Sequence, residues 1–305
     1  MRPTMITENE PLARYTSWRI GGLARYFANV LTTEALIAAL GWAREQSLPV
    51  FILGGGTNIL VRDTGFAGLA LRYRAQELRI DEATARAWVS AGAPMAGTAR
   101  RLAAQGWAGI QWAEGLPGTI GGSVFGNAGC YGGDIASALA RAWLLRNGGI
   151  EEWPVERFAY GYRTSALKSA TTGEWDADTV VGRRSSGVEP IVVAAEFKIA
   201  RADQRALAEQ MRRIASERKG KTPVGSSCGS VFKNPPGDSA GRLIEAAGLK
   251  GTRAGGAEIS HKHANYIVNL GGARGDDVLR LIEIVRERVF KEFEVELELE
   301  IQIVG

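Results

Sequence analysis

Pro49-Val50-Phe51-Ile52-Leu53 followed by Gly54-Gly55-Gly56-Thr57-Asn58 reads as a short strand that stops in a glycine loop. Three glycines in a row do not extend a packed strand. They reach positive φ at no steric cost and turn several backbone N–H groups toward one point, which makes an anion nest. Thr57 and Asn58 add side-chain donors. No Gly-Lys-Ser/Thr follows, and Ile59 stands where a dinucleotide fingerprint needs its last glycine, so neither common phosphate motif applies. By itself the triple glycine is equally well an ordinary tight turn.

A second glycine-dense segment changes that balance. Leu116-Pro117-Gly118-Thr119-Ile120-Gly121-Gly122-Ser123 is followed by Gly126-Asn127-Ala128-Gly129. Small residues at this density let backbone lie against a large planar group. Two such loops fit one elongated ligand that carries phosphates and a ring system.

Around these loops the pattern is mixed helix and strand. Helical spacing is read at 33–46, 95–105, 202–219, 241–248 and 276–293. The last has the clearest apolar stripe: Val278, Leu281, Ile282, Val285 and Val289. Short strands are read at 59–62, 87–90, 142–145 and 191–199. Strict alternation over Val295–Ile303 predicts a half-buried strand with Glu296, Glu298, Glu300 and Gln302 on its polar face. Ser169 to Glu189 is polar and reads as a surface excursion. Arg201 to Lys221 holds seven Lys/Arg against three acids. It either draws in phosphates or, as is commoner, is a solvated helix face.

The 305 residues allow two or three domains, and a 45% hydrophobic composition provides a core. The charge of +4 suits anionic small ligands, and no nucleic-acid motif is present. Residues 1–11 are polar with no apolar run, and no stretch is long and apolar enough to span a membrane. Two distant cysteines, Cys130 and Cys228, make no disulfide framework and fit a reducing cytoplasm. His261 and His263 lack a third ligand nearby, so no metal site is expected.

Several motifs in order resemble the UDP-N-acetylenolpyruvoylglucosamine reductase (MurB) family in its short form. They are the stretches 53–61 and 116–123, Asn127-Ala128-Gly129, Tyr162-Arg163-Thr164-Ser165, Gly229-Ser230-Val231-Phe232-Lys233-Asn234-Pro235, 240–249, 262–265 and the final strand. The resemblance runs from about Thr16 to the C-terminus. It implies an α+β fold: a two-part FAD-binding domain of the vanillyl-alcohol-oxidase (PCMH) type over 1–70 and 71–200, and a UDP-sugar domain over 201–294. A C-terminal strand, 295–305, then returns to the flavin. Two positions depart from the family pattern, Glu258 for a glutamine and Gln302 for an arginine.

The same resemblance implies non-covalent FAD held by Leu53, Gly54, Gly55, Gly56, Thr57, Asn58, Gly118, Thr119, Gly121, Gly122, Ser123, Asn127, Ala128 and Gly129. NADPH is the implied co-substrate and a UDP-sugar enolpyruvyl ether the implied substrate, in peptidoglycan synthesis. Arg163 is expected to stabilise an enolate, Glu300 to act with it, and Ser230 to give a proton to carbon. Lys233, Asn234 and Arg242 are the expected substrate contacts. Each has a plainer reading as a cap, a turn residue or a solvated charge, and Glu296 and Glu298 share the polar face with Glu300. A monomer is expected. The rival class is a flavin-dependent alcohol or sugar oxidase of the same superfamily.

Overall fold

A computed structural model describes residues 3–171 and 190–305. Most of the polar excursion, 172–189, therefore lies outside the described residues, and its start is the end of helix Ala166–Thr171.

The first sheet has the order Ile6–Pro11, Leu23–Val30, Phe66–Tyr73, Val50–Ile52. Leu23–Val30 and Val50–Ile52 both run parallel to Phe66–Tyr73. Helix Thr33–Glu45 makes the crossover and buries Leu36, Ala39, Leu40 and Ala43 against the sheet. The Thr32 hydroxyl starts it by accepting from Ala35 N at 3.2 Å. Residue 70, where a division was expected, lies within the strand Phe66–Tyr73.

The second sheet is antiparallel throughout, ordered Gly149–Pro154, Leu139–Arg146, Ile191–Lys198, Arg86–Ser90, Leu78–Asp81. Its inward residues Ala87, Val89, Ala142, Leu144, Ala195 and Phe197 join one core with residues of helices Met95–Ala103 and Ile120–Gly126. That core also takes Leu207 and Met211 from the basic helix Gln204–Lys221. The helix placed in the substrate domain by a division at 201 thus packs on the first body.

A separate core lies between helices Ala240–Ala246 and Gly275–Phe293 and the small sheet Arg253–Ala254, Ala257–Ile259, Ile267–Asn269. The stripe Val278, Leu281, Ile282, Val285 and Val289 is buried there, at about 1.5–3 kcal/mol for each side chain taken out of water. Trp18 and Leu60 enter this same core from the N-terminal region, and Trp18 Nε1 donates to Ile267 O at 2.7 Å. Asp63 adds a second tie, accepting from Gly275 N at 2.9 Å and Asp276 N at 3.2 Å at the positive end of the long helix.

The C-terminal stretch departs from expectation. Only Gln302–Val304 forms a strand, parallel to Ile59–Val61. Upstream, the alternation is met by the irregular segment 231–233 instead: Lys233 N donates to Glu298 O and Glu300 N to Val231 O, each at 2.8 Å. Backbone pairing with an irregular neighbour satisfies the N–H and C=O groups without a regular ladder.

Candidate active site

The C-terminal stretch passes the first glycine loop. Asn58 Nδ2 donates to Glu300 O and Gln302 N donates to Asn58 O, both at 3.0 Å. The two glycine loops touch one another. A Cβ on Gly55 would lie 2.8 Å from Gly118 Cα, and one on Gly54 would lie 3.0 Å from Thr119 Oγ1. Thr119 also caps helix Ile120–Gly126 by accepting from Gly122 N.

The loops offer what a dinucleotide needs. Among the described residues, no backbone N–H of residues 54–58 donates a hydrogen bond, nor does that of Gly118 or Thr119. Gly56 is buried as well. Buried or half-buried N–H groups are normally paired, so this run of donors fits a bound diphosphate. Gly56 has φ +64°, and a Cβ there would sit 1.8 Å from Tyr15 O. Gly56→Ala is therefore expected to give protein with little flavin and a lowered Tm, while Gly41→Ala, in open space on a helix, raises stability by about 0.5–1 kcal/mol. Flavin absorbance per chain and a thermal melt check this; a Gly56→Ala protein as yellow and as stable as wild type refutes the assignment.

Arg163 stands in a tight turn. Gly161 and Thr164 exchange backbone hydrogen bonds at 3.2 and 3.3 Å, and Arg163 between them has φ 55°. The Asn127 amide holds this turn, Nδ2 donating to Gly161 O at 3.0 Å while Oδ1 accepts from Ala136 N at 3.0 Å. Asn127 was expected at the cofactor, but its side chain is committed to the protein. From the turn, Arg163 Nη1 donates to Gly129 O at 3.1 Å, at the end of the second glycine segment. Arg163 Nε lies 2.7 Å from Glu300 Oε1, an ion pair without hydrogen-bond alignment. Such donors commonly align only when substrate binds.

Glu300 alone of the three polar-face glutamates is withdrawn from solvent. Its side chain is 15% exposed, and burial raises its pKa against the opposing charges of Arg163 and Lys168. Glu298 is solvent-facing and paired with Lys233 at 2.8 Å, which lowers its pKa. Lys233 is thus turned to Glu298. Ser230 is half-buried, and no hydrogen bond joins its hydroxyl to another described residue. The bridge between Phe232 and Leu299 puts Ser230 one residue beyond the strand partner of Glu300.

The remaining expected substrate residues are engaged locally. Asn234 Oδ1 accepts from Ala240 N at 3.1 Å, and Arg242 pairs with Asp238 through Nε at 2.7 Å. Glu258, one departure from the family pattern, is buried and pairs with Arg253 at 2.5 Å. Cys130 lies beside the second loop, half-buried, its Sγ 3.4 Å from Trp112 O; burial raises its pKa. Two residues here escaped sequence reasoning. Arg218, from the basic helix, has a buried Nε without a hydrogen bond and its guanidinium 3.5 Å from Cys130 Sγ. Lys168 is 5% exposed and donates from Nζ to Arg163 O at 3.0 Å. A lysine five residues after an arginine carries no pattern that marks it as buried.

Comparisons with known proteins bear on the family and the cofactor domain. Residues 24–145 match the model of an FAD binding domain, and 219–304 that of the UDP-N-acetylenolpyruvoylglucosamine reductase C-terminal domain. A UDP-N-acetylenolpyruvoylglucosamine reductase of Chloroflexus aggregans is 54% identical, over 99% of this chain and 98% of the relative. One from Rubrobacter xylanophilus is 43% identical, over 97% and 94%. The crystal structure of the reductase from Thermus caldophilus superposes with a TM-score of 0.78 at 32% identity, covering 98% of both chains. Likeness at this identity along nearly the whole chain, with both glycine loops and the Arg163–Glu300 pair in one place, shows that the chain belongs to the UDP-N-acetylenolpyruvoylglucosamine reductase family.

Proposed function

We propose that this protein uses NADPH to reduce the enolpyruvyl ether of UDP-N-acetylglucosamine to UDP-N-acetylmuramate, a step of peptidoglycan synthesis. The observation that carries the reading is the Arg163–Glu300 pair beside Ser230, walled by both glycine loops. FAD, which the backbone N–H groups of residues 54–58 and of Gly118 and Thr119 would hold, would supply the hydride chemistry between NADPH and C3 of the alkene. The protein's own task is to orient the ether, hold the charge that develops at C2 and the carboxylate, and deliver one proton.

Arg163 faces the carboxylate with its fork and stabilises the enolate. Glu300, whose pKa burial raises against the charge of Arg163, pairs with Arg163 and orients the guanidinium toward the same group. Ser230 gives the proton to C2. Of the three residues proposed for the UDP-sugar, Lys233 is the one whose charge acts on both Lys168 and Glu300. Asn234 keeps its Nδ2 for a ligand, and Arg242 is the least engaged with the site.

The reading places the enzyme in the cytoplasm as a monomer; no helix among the described residues is long and apolar enough to cross a membrane. The rival class of alcohol or sugar oxidase is not favoured by the family to which the chain belongs. Anaerobic stopped-flow on the purified protein tests the function. Flavin bleaching by NADPH followed by fast recovery on adding the UDP-sugar enol ether is the expected result. Bleaching without recovery would leave a flavoprotein with another acceptor, and a colourless protein would refute the flavin reading.

A further inference from the structure

Lys168 is the buried cation that the reaction outlined above leaves unused. It is 5% exposed, on helix Ala166–Thr171, whose first turn is held by Ser165: Lys168 N donates to Ser165 Oγ at 3.2 Å, and that hydroxyl donates to Phe125 O at 2.6 Å. The helix is thereby fixed to the segment that leads out of the second glycine loop. From it the Lys168 side chain turns back, and Nζ donates to Arg163 O at 3.0 Å.

The acceptor is unusual. Arg163 occupies the left-handed region at φ 55°, a conformation that a long side chain adopts only when its surroundings impose it. Two side chains impose it here. Asn127 holds the carbonyl of Gly161 at the start of the turn, and Lys168 holds that of Arg163 itself. The direction of the Arg163 side chain follows from that backbone, and with it the reach of the guanidinium to Gly129 O and Glu300.

Burial carries a cost for such a lysine. Desolvation lowers its pKa to about 8, and Lys233 and Arg163 push the same way, partly offset by Glu300. A buried cation among like charges is an expensive way to brace a turn, and a neutral donor would suffice for packing alone. Its charge also lowers the pKa of Glu300, so the same ammonium acts on both members of the catalytic pair.

We propose that Lys168 is a positioning residue: its ammonium holds the strained Arg163 turn in the conformation that aims the guanidinium at Glu300 and the substrate carboxylate. The proposal rests on the reductase reading for its kinetic consequence but not for its geometry, and the two are tested separately.

In Lys168→Met, recovery of the bleached flavin by the enol ether is expected to slow roughly 10- to 100-fold, as misplacement of a reacting group by about an ångström does. Bleaching by NADPH and flavin content should change less than 3-fold. In an Arg163→Ala background the same substitution should change recovery less than 3-fold, because the residue it acts through is gone. Equal slowing in both backgrounds, or none in either, overturns the proposal. Lys168→Gln, which keeps a donor, should restore part of the rate, and it replaces Lys168→Met in the cycle if that variant does not fold. A crystal structure of the variant gives the arm independent of activity. Arg163 should leave φ 55° and withdraw from Glu300. An unmoved turn refutes positioning even if wild-type enzyme ignores the enol ether, an outcome that would instead refute the reductase reading.

Discussion

Ser230→Ala is expected to bleach with NADPH as wild type does and to recover with the enol ether about 10²–10⁴-fold more slowly, the range for loss of a positioned proton donor. The geometry makes this a clean substitution. Ser230 is half-buried, and no hydrogen bond joins its hydroxyl to another described residue, so alanine strands no partner. The backbone that places it is held independently: Val231 N donates to Asn265 O and Phe232 N to Asn265 Oδ1, each at 2.9 Å. The Asn265 amide also donates to Phe232 O at 2.8 Å. Flavin content and Tm should therefore stay at wild-type values. Ser230→Cys, which keeps an acidic proton, should recover part of the rate. Unaltered recovery in Ser230→Ala sinks the proton-donor assignment. Equal slowing of both half-reactions would instead make Ser230 a docking residue for both substrates.

What a linear reading finds and misses here has a physical pattern. Each glycine loop was visible because its demand is local: positive φ at Gly56 and Gly118 and a surface where a Cβ does not fit. The helices were visible for the same reason, since apolar spacing lies within the element itself; the Thr32, Asp203 and Ser239 caps are seen in the structure. Arg163, Ser230 and Glu300 were visible only as motifs. Nothing within any of the three motifs says that they meet. Their meeting depends on Gln302–Val304 lying parallel to Ile59–Val61, a pairing across some 240 residues. The C-terminal alternation foretold that Glu296 and Glu298 face out, while Glu300 on the same expected face is withdrawn from solvent. It did not foretell that residues 298–300 bond to an irregular segment rather than a strand.

Side-chain commitments were the least legible. Asn127 looks like a ligand residue by its place in a glycine motif, yet its amide is consumed by Gly161 and Ala136. Arg218 looks like one more charge on a solvated face, yet its Nε is buried while neighbours Lys219 and Lys221 are exposed. Periodicity assigns a face to a helix. It does not say what the last turn of that face will meet, here Gly115 and Cys130 brought in from the second glycine region.

Arg163→Met should slow recovery by the enol ether about 10²–10³-fold, the usual loss when one fixed donor to a developing oxyanion is removed. Arg163→Lys should restore little, because an ammonium lacks the two-pronged fork and its different length leaves Gly129 O or Glu300 unmet. A second consequence is read without substrate. Burial already raises the Glu300 pKa, and Arg163 is the foremost charge opposing that rise. Removing it raises the pKa further in the folded state, while the unfolded value stays ordinary. The native protein then holds a proton that the unfolded chain has lost, so stability is full below the unfolded pKa and falls as pH rises through the folded one. Each pH unit between the two values costs up to about 1.4 kcal/mol. Melts of Arg163→Met should therefore decline with rising pH more steeply than those of wild type. Arg163→Met with Glu300→Gln should remove the added slope, since the amide has no proton to exchange. An Arg163→Met protein whose Tm follows wild type across the same pH range would mean that Glu300 is not held by Arg163. The enolate-stabilising pair would then need a different second member.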